Sequence, residues 1–399
     1  MNHSRLNYFA DVKGGTPNLI GKVWKRWVVW SSLLLLASGM ALAARGAQTK
    51  AGAANVAATG EKVVSFVREH FGVADTVKLT ITPLRSSVFA SCYEATVTSD
   101  DGKQKKDQIV LVTKDGRYFA LVAGQIFDLA SAGAPNTTAV GEKVLPFVRR
   151  QFKVPETVKL TMSPLHSSVF PRTYEATLTL EQGKQKRDWP ALLSRDGRYL
   201  AVMGAEVFDL NFDVRREALK TITTHNQPSQ GPANAPVTIV EYADLECPMC
   251  ARVHEFLERE LLPKYGNKVR VVFKDYPLVA IHDWALAGSI AGQCIYEINP
   301  GAFVPFRTLV FQNQSSLNAA NSRDMLLTYG EQAGADRVRL AACLDAKTTL
   351  PRVEENTLEA KRIKIVSTPT SFVNGKMIVG LPSVDAYYKA VDEALREAK

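Results

Sequence analysis

The chain has 399 residues, of which 46% are hydrophobic and 22% are charged, a composition typical of globular proteins. This length exceeds that of one ordinary core and predicts two or three domains. The formal net charge of +9 is spread along the chain without a block of five or six like charges, which argues against a nucleic-acid-binding protein.

The first 48 residues have the pattern of an export signal. Lys22, Lys25 and Arg26 precede an apolar run at 27–44, and residues 41–43 offer the small-x-small pattern that a signal peptidase cuts. The run also approaches the length of a membrane span, so a retained anchor is the alternative. Both readings keep the positive charges inside and predict a periplasmic or other extracytoplasmic location, where disulfides persist.

Two consecutive segments of the chain are copies of each other. Residues 60–129 align without a gap on residues 141–210, and more than half of the aligned positions are identical. The offset, 141 − 60 = 81 residues, is too long for a solenoid repeat and indicates a duplicated small domain. In each copy an amphipathic helical stretch precedes runs of alternating apolar and polar residues. The sequence therefore predicts two tandem small α+β domains, 55–130 and 136–213, each with one helix on an antiparallel sheet.

Neither copy contains a set of residues typical of a catalytic site. Cys92 aligns with Thr173, so the duplicated fold does not require a thiol at this position. Because Tyr93, Ala95 and Val97 share the apolar face of their predicted strand, we expect Cys92 on the polar face. The expectation is a spare thiol that solvent reaches, and a redox-active thiol or an intermolecular disulfide is the alternative.

Residues 214–235 predict a short basic helix followed by a linker. The stretch 221–236 is rich in Pro, Asn, Gln and Gly and lacks an apolar period, so it is not expected to build a core. A third domain is predicted over residues 236–399.

The third domain opens with a strand that leads into the motif Cys247-Pro248-Met249-Cys250, and a helical pattern follows the motif. At the start of a helix, unpaired backbone N–H groups and the positive end of the helix dipole favour a thiolate over a thiol. The motif therefore predicts Cys247 as a nucleophile. Pro248 suits the first turn of a helix, where no intrahelical donor is lost.

Two further segments extend this pattern. An apolar strand at 269–273 completes a β-α-β unit whose helix begins at the cysteines, which is the thioredoxin arrangement. Near the C-terminus, Thr368-Pro369-Thr370 begins a strand of a predicted hairpin that turns at 374–375.

These segments together resemble the thioredoxin-fold thiol oxidoreductases related to DsbA, in the branch with a helical insertion between the motif and the cis-proline strand. The resemblance covers residues 236–395. It implies that Cys247 attacks, that Cys250 is the buried resolving cysteine, and that Pro369 is a cis-proline facing the dithiol, with Thr368 before it. The reacting group is then the redox-active disulfide itself, and no other cofactor is expected.

The resemblance also gives Glu241 a role. It lies six residues before Cys247, at the position of a buried acid that accepts a proton from the second thiol in DsbA relatives; a half-exposed strand carboxylate is the alternative. Lys274 is its candidate charge partner. Met249 has no charge or hydrogen bond to offer the thiolate, so we expect an intermediate redox potential rather than that of the strongest oxidases.

The remaining cysteines predict a second disulfide rather than a metal site. Cys294 and Cys343 lie in two predicted helices, and relatives of this branch often carry a similar bond; two free buried thiols are the alternative. Both cysteines are solitary, and His254 and His282 stand far apart in sequence, so no metal is expected. His254 is expected to be a packing residue rather than a catalytic base.

The leading functional hypothesis is an exported thiol-disulfide oxidoreductase that acts on unfolded or misoxidised envelope proteins. One alternative is an isomerase or reductase that a membrane redox partner keeps reduced. An alternative from another class is a client-binding chaperone or an envelope-binding module, in which the dithiol is incidental.

The end of each copy, Asp-Gly-Arg-Tyr followed by Phe-Asp-Leu, resembles the N-terminal dimerisation domain of DsbC and DsbG. Those enzymes form dimers through this domain. The resemblance therefore implies that the duplication satisfies such an interface within one chain, as a pseudo-dimer with a single dithiol, and that the protein is a monomer.

Overall fold

The computed structural model describes residues 50–129, 140–183, 185–204 and 207–398. The predicted export segment lies outside these ranges. Within these ranges the chain forms two compact units. The first holds the described residues of 50–68 and 75–212, and the second holds those of 69–74 and 213–398. Across the described ranges, no helix combines the length and apolarity required to cross a bilayer.

The first unit is built on one large antiparallel sheet, with helices α1 (Lys50–His70) and α2 (Val140–Gln151). Its described strands follow the spatial order β1-β3-β4-β5-β10-β9-β8-β6, with β2, β7 and β11 paired to β3, β8 and β5. The strands are Lys78–Ile81 (β1), Arg85–Ser86 (β2), Cys92–Asp100 (β3), Lys105–Thr113 (β4), Tyr118–Asp128 (β5), Lys159–Met162 (β6), His166–Ser167 (β7), Thr173–Gln182 (β8), Gln185–Ser194 (β9), Tyr199–Met203 (β10) and Phe208–Asp209 (β11).

Helix α2 packs on this sheet through its apolar face. Val144, Phe147 and Val148 are buried in one cluster with Leu178 and Val202 of the sheet. Burying such side chains contributes about 1.5–3 kcal/mol each, which is the principal force that holds helix and sheet together.

The centre of the sheet carries the same contacts twice. Arg117 pairs with Asp209 at 3.1 Å, and Arg198 pairs with Asp128 at 2.8 Å. These two pairs are related by the same 81-residue offset, since 117 + 81 = 198 and 128 + 81 = 209. The backbone repeats the exchange, because the amides that follow the two aspartates donate to the carbonyl oxygens of the two arginines, both at 2.7 Å. Residues 117–128 and 198–209 therefore contact each other reciprocally.

The prediction that solvent reaches Cys92 was wrong. The side chain is 1% exposed and lies in a core cluster with Phe89, Leu111 and Phe170. The cause is tertiary: Phe89 and Phe170, one from each copy, cover the end of β3, so that the side of the strand expected to meet solvent is buried there as well.

The second unit has a five-stranded sheet with the order β12-β14-β13-β15-β16, in which β13 and β14 are parallel. Two helices, α4 and α5, lie between these two strands, and further helices lie between β14 and β15. The elements are Val214–Thr221 (α3), Ser229–Gln230 (β12), Val237–Ala243 (β13), Pro248–Phe256 (α4), Leu262–Tyr265 (α5), Val269–Asp275 (β14), Ala285–Ile298 (α6), Phe303–Gln312 (α7), Ser322–Gln332 (α8), Arg337–Ala346 (α9), Leu350–Arg362 (α10), Thr370–Val373 (β15), Lys376–Val379 (β16) and Val384–Glu397 (α11).

The segment predicted to be a linker is part of this second unit. Ser229 and Gln230 pair with Val272 and Val271 of β14. Gln227 is buried and exchanges two side-chain hydrogen bonds with Asn356, at 3.0 and 3.2 Å. The composition indicated a linker because these contacts use backbone and amide groups, which leave no apolar period in the sequence.

Candidate redox site

The dithiol lies where β13 gives way to α4. Cys247 is the N-cap residue of α4, with extended backbone angles, and Pro248 occupies the first turn. The Cys247 carbonyl accepts hydrogen bonds from the amides of Cys250 at 3.0 Å and Ala251 at 3.3 Å. This geometry aims the free N–H groups of the helix start, and the positive end of its dipole, toward the first thiol.

The two thiols differ strongly in acidity. Cys247 is 8% exposed and Cys250 is fully buried, and both are free thiols. The pKa of Cys247 is lowered to about 6, chiefly by a hydrogen bond from Cys250. Burial opposes this shift, and a hydrogen bond with Thr368 supports it. Burial raises the pKa of Cys250 well above its ordinary value. At neutral pH the pair therefore holds one thiolate, on Cys247, and one thiol, on Cys250.

The loop before β15 lies against the first thiol. The Thr368–Pro369 peptide bond is cis, and the Cys247 Sγ lies 3.5 Å from the carbonyl oxygen of Thr368. The amide of Gly380, at the end of β16, donates to the Pro369 carbonyl at 2.7 Å. Gly380 has φ +65°, and a Cβ there would come 4.0 Å from Met249, so the end of β16 lies beside Met249. The structure thus brings Cys247, Met249, Thr368 and Pro369 together.

Glu241 lies on β13 beneath the dithiol and is fully buried. Its Oε2 accepts from Arg307 of α7 at 3.0 Å, while its Oε1 has no hydrogen-bond partner. Burial raises the pKa of Glu241, and the charge of Arg307 opposes this only in part. The charge of Glu241 in turn raises the pKa of Cys250, so the two groups are coupled electrostatically.

The prediction that Lys274 pairs with Glu241 was wrong. Its ammonium group pairs with Glu359 in a separate buried network that includes Tyr242. Lys274 follows Phe273 on β14, so its side chain points to the opposite face of the sheet from that ring. The guanidinium of Arg307 packs over the Phe273 ring at 4.3 Å, on the face that Glu241 shares.

Besides Arg307, three residues near the dithiol were not predicted from the sequence. Asp244 is fully buried one residue beyond β13, and its amide lies 3.4 Å from the Cys250 Sγ. Its carboxylate lies 2.7 Å from His282 Nδ1. Gln314 donates to the carbonyl oxygens of Leu245 at 2.7 Å and Cys247 at 3.1 Å. Asp244 could have been predicted, because it lies only three residues before the motif. His282 and Gln314 follow the motif by more than 30 residues, and no sequence pattern connects them to it.

The other two cysteines of this unit and His254 have partners of their own. Cys294 of α6 and Cys343 of α9 form a disulfide with an S–S distance of 1.98 Å. His254 is 3% exposed, its Nε2 lies 2.8 Å from the Thr308 hydroxyl, and burial lowers its pKa to about 3. It is therefore a neutral packing residue. Within the described ranges, no group of three His, Cys, Asp or Glu side chains is arranged to hold a metal ion.

Known proteins resemble the chain over the second unit. A model of the thioredoxin family matches residues 223–393. The chain is 34% identical over 170 residues to "Na(+)/H(+) antiporter NhaA 3" of Salinispora tropica, covering 43% of this chain and 25% of that protein. It is 27% identical over 205 residues to "Probable disulfide bond formation protein D" of Bacillus cereus, covering 50% and 92%. The crystal structure of oxidised BdbD from Bacillus subtilis aligns with a TM-score of 0.39 and 22% identity, covering 44% and 95%.

The chain spans from 24% to 58% of the length of the first four curated relatives it matches. The matched segment, 223–393, lies within the second unit and includes the dithiol, Glu241 and the cis-proline loop.

Proposed function

We propose that the chain is an exported protein thiol-disulfide oxidoreductase, because residues 223–393 match a thioredoxin model and the chain resembles disulfide bond formation protein D of Bacillus cereus. Its substrates are the thiols and disulfides of folding envelope proteins. The observation that carries the proposal is the asymmetry of the dithiol: a thiol at a helix start with a pKa of about 6 lies beside a buried thiol whose pKa is raised.

The exchange proceeds in two steps. In the oxidising direction, a client thiolate attacks the Cys247 sulfur of the Cys247–Cys250 disulfide, and Cys250 leaves with the electron pair and takes up a proton. A second client thiolate then attacks the client sulfur of the mixed disulfide and releases Cys247 as a thiolate. Two electrons pass from client to dithiol, and a redox partner must remove them. A pKa of about 6 makes Cys247 a good leaving group in this second step.

We assign Glu241 the proton transfer at Cys250. Its Oε1 has no hydrogen-bond partner, and the pKa of its carboxyl group is raised by burial. A carboxyl group in that state can give a proton to the departing Cys250 thiolate and take it back when Cys250 attacks. Pro369 and Thr368 border Cys247, where an extended client segment binds in the proposed complex.

Protein clients are also supported by the surface beside the site. Val279 and Ile281 are exposed at 62% and 50% on the loop whose Leu278 amide donates to Asp244. Exposed apolar side chains next to a reacting thiol suit unfolded polypeptides, which present apolar segments themselves.

We assign the first unit as two tandem α+β domains, 55–130 and 136–213, which pair as a pseudo-dimer within one chain. The reciprocal contacts of residues 117–128 with 198–209 support this, because a self-complementary two-fold interface makes every contact twice. The pairing predicts a monomer. Light scattering of the full chain at micromolar concentration measures this, and a stable dimer would contradict it.

A second candidate is an isomerase or reductase that a membrane partner keeps reduced. The paired copies favour it, since they resemble the dimerisation domain of isomerase-type enzymes. The redox state of the Cys247–Cys250 pair in cells distinguishes an oxidase from an isomerase or reductase. This state is trapped with acid and a thiol-blocking reagent. A mostly oxidised pair indicates an oxidase, and a mostly reduced pair indicates an isomerase or reductase.

One experiment tests thiol exchange itself. Purified chain and Cys247→Ser are assayed for oxidation of a reduced, unfolded model protein, with Cys92→Thr as a matched control that removes a thiol outside the site. We expect exchange to vanish in Cys247→Ser and to persist in Cys92→Thr. If Cys247→Ser retained the biological activity of the chain in cells, the client-binding chaperone or envelope-binding module would be the better proposal.

The redox potential tests the role of Met249. A motif without a charged central residue predicts a potential between about −270 mV, as in thioredoxin, and about −120 mV, as in DsbA. Equilibration of the dithiol with glutathione buffers measures it. A potential as oxidising as that of DsbA would contradict the proposed role of Met249.

A further inference from the structure

A buried carboxylate lies directly beside the dithiol. Asp244 is fully buried. Its Oδ1 accepts from the amide of Glu246 at 2.8 Å, and its Oδ2 accepts from the amide of Leu278 at 2.8 Å. Its charge opposes formation of the Cys247 thiolate and raises the pKa of that thiol. A positive charge beside this carboxylate would therefore favour the Cys247 thiolate further.

His282 is the side chain placed to supply that charge. Its Nδ1 lies 2.7 Å from Asp244 Oδ2, and its side chain is 16% exposed, so it can exchange a proton with solvent. Two backbone contacts hold its loop in place, since the Leu278 amide binds Asp244 and the Trp284 amide binds Glu246 at 2.7 Å. The loop is thus fastened to the dithiol turn on both sides of His282.

The charged and titratable groups that face His282 come from three elements. Asp244 follows β13, Glu246 lies in the turn before α4, and Cys247 begins α4. Burial lowers the pKa of His282, but the hydrogen bond and charge of Asp244, with the charges of Cys247 and Glu246, raise it above its ordinary value. Each of these three groups favours the imidazolium form when it is ionised.

We propose that His282, held by Asp244, is a positioning residue whose imidazolium offsets the buried carboxylate and stabilises the Cys247 thiolate from outside the Cys-x-x-Cys motif. Met249 offers no charge, so the cation comes from the loop between β14 and α6. This inference deepens the proposed function, because it concerns what makes the same thiol reactive. Protonation of His282 then links the redox activity of the dithiol to pH.

The first test titrates the Cys247 thiolate in the reduced full chain. Absorbance at 240 nm reports Cys247 alone below pH 9, because burial raises the pKa of both Cys250 and Cys92. We expect His282→Gln to raise the midpoint by roughly one unit, so that the thiolate fraction at pH 5 falls about tenfold. The matched control is His225→Gln, the same change at an exposed position. An unchanged midpoint in folded His282→Gln would overturn the proposal.

A double variant separates electrostatics from structure. If His282 acts by offsetting Asp244, then adding Asp244→Asn to His282→Gln removes the charge that opposes the thiolate, and the midpoint returns toward that of the wild type. If His282 only braces the loop, removing its partner as well leaves the midpoint where it is or moves it further away. The second result would overturn the proposal.

A reciprocal test leaves the His282 contacts in place. Nuclear magnetic resonance of the His282 ring gives its titration midpoint in the wild type and in Cys247→Ser. We expect a lower midpoint in Cys247→Ser, because the thiolate that favours the imidazolium is gone. Equal midpoints would contradict the coupling. None of these measurements uses a client, so a chain that titrates as expected but exchanges no disulfides would refute the proposed function alone.

Discussion

Cys92 and Cys247 are both buried thiols, and their acidities move in opposite directions. Cys92 is 1% exposed within a strand of the first unit, and burial raises the pKa of its thiol to about 12. Cys247 is 8% exposed at a helix start in the second unit, and its pKa falls to about 6. Exclusion of water is common to both sites and disfavours the thiolate in both.

The difference lies in what faces the sulfur. Around Cys92 the neighbours are Phe89, Leu111 and Phe170, which offer no hydrogen bond to an anion. Around Cys247 a second thiol donates to the sulfur, and the helix start adds unpaired N–H groups. Burial therefore does not decide the reactivity of a cysteine in this chain; the donors that burial leaves in place decide it.

The largest expected effect is a difference in alkylation rate between these two cysteines. At pH 7 the two pKa values imply thiolate fractions that differ by about 100,000-fold, and the greater intrinsic nucleophilicity of the less acidic thiol offsets this by up to about a thousandfold. Iodoacetamide should therefore modify Cys247 at least about 100-fold faster than Cys92 in the reduced native chain.

Mass spectrometry of the two cysteine-containing peptides measures both rates in one sample. Urea supplies the control, since unfolding should bring the two rates close together. Similar alkylation rates in the native chain would contradict the opposite pKa shifts of the two thiols.

The second expected effect concerns a pair of cysteines that does not titrate. The Cys294–Cys343 disulfide spans 49 residues, and removing it by a double alanine substitution should lower the free energy of unfolding of the second unit by about 4 kcal/mol in the loop-entropy estimate. Hydrogen exchange of the β13 and β14 amides measures this value. Cys92→Thr is the control and should leave these amides unchanged. A loss below about 1 kcal/mol would show that the bond constrains the unfolded chain little.

The smallest expected effect is a loss of stability in acid that is due to the buried base His254. Burial lowers the pKa of His254 to about 3, whereas an unfolded histidine titrates near 6.5, so the unfolded chain binds the additional proton. Stability from neutral His254 is complete above pH 6.5 and is lost as the pH falls toward 3, by about 2 kcal/mol at pH 5.

Urea titrations at pH 7 and pH 5 measure the loss due to His254. His254→Gln should show a smaller loss between the two values, because glutamine binds no proton, and His225→Gln should behave like the wild type. If His254→Gln lost as much stability as the wild type on acidification, burial would not govern this group.

The residues closest to the chemistry were predictable because their signals are local. A β-branched strand, the two cysteines, the proline between them and the following helical pattern occupy one continuous segment, and the duplication is visible by direct alignment. The structure places Cys247 and Cys250 at the start of α4 and the Thr368–Pro369 bond in the cis form. The position of the cysteines at a helix start depends on backbone preferences that act over a few residues, whereas the cis bond was implied by the family resemblance.

The charges around the dithiol were not predictable in the same way. Arg307 rather than Lys274 faces Glu241, and His282 faces Asp244, across separations of 66 and 38 residues. Cys92 was misjudged for a related reason, since Phe170 of the other copy covers it. The order of residues was enough to identify the candidate thiols and to show that residues 60–129 and 141–210 are copies in sequence. Only the tertiary structure decided which charges and aromatic rings face each thiol, because electrostatic energy and burial depend on distance in space, which the order of residues along the chain does not record.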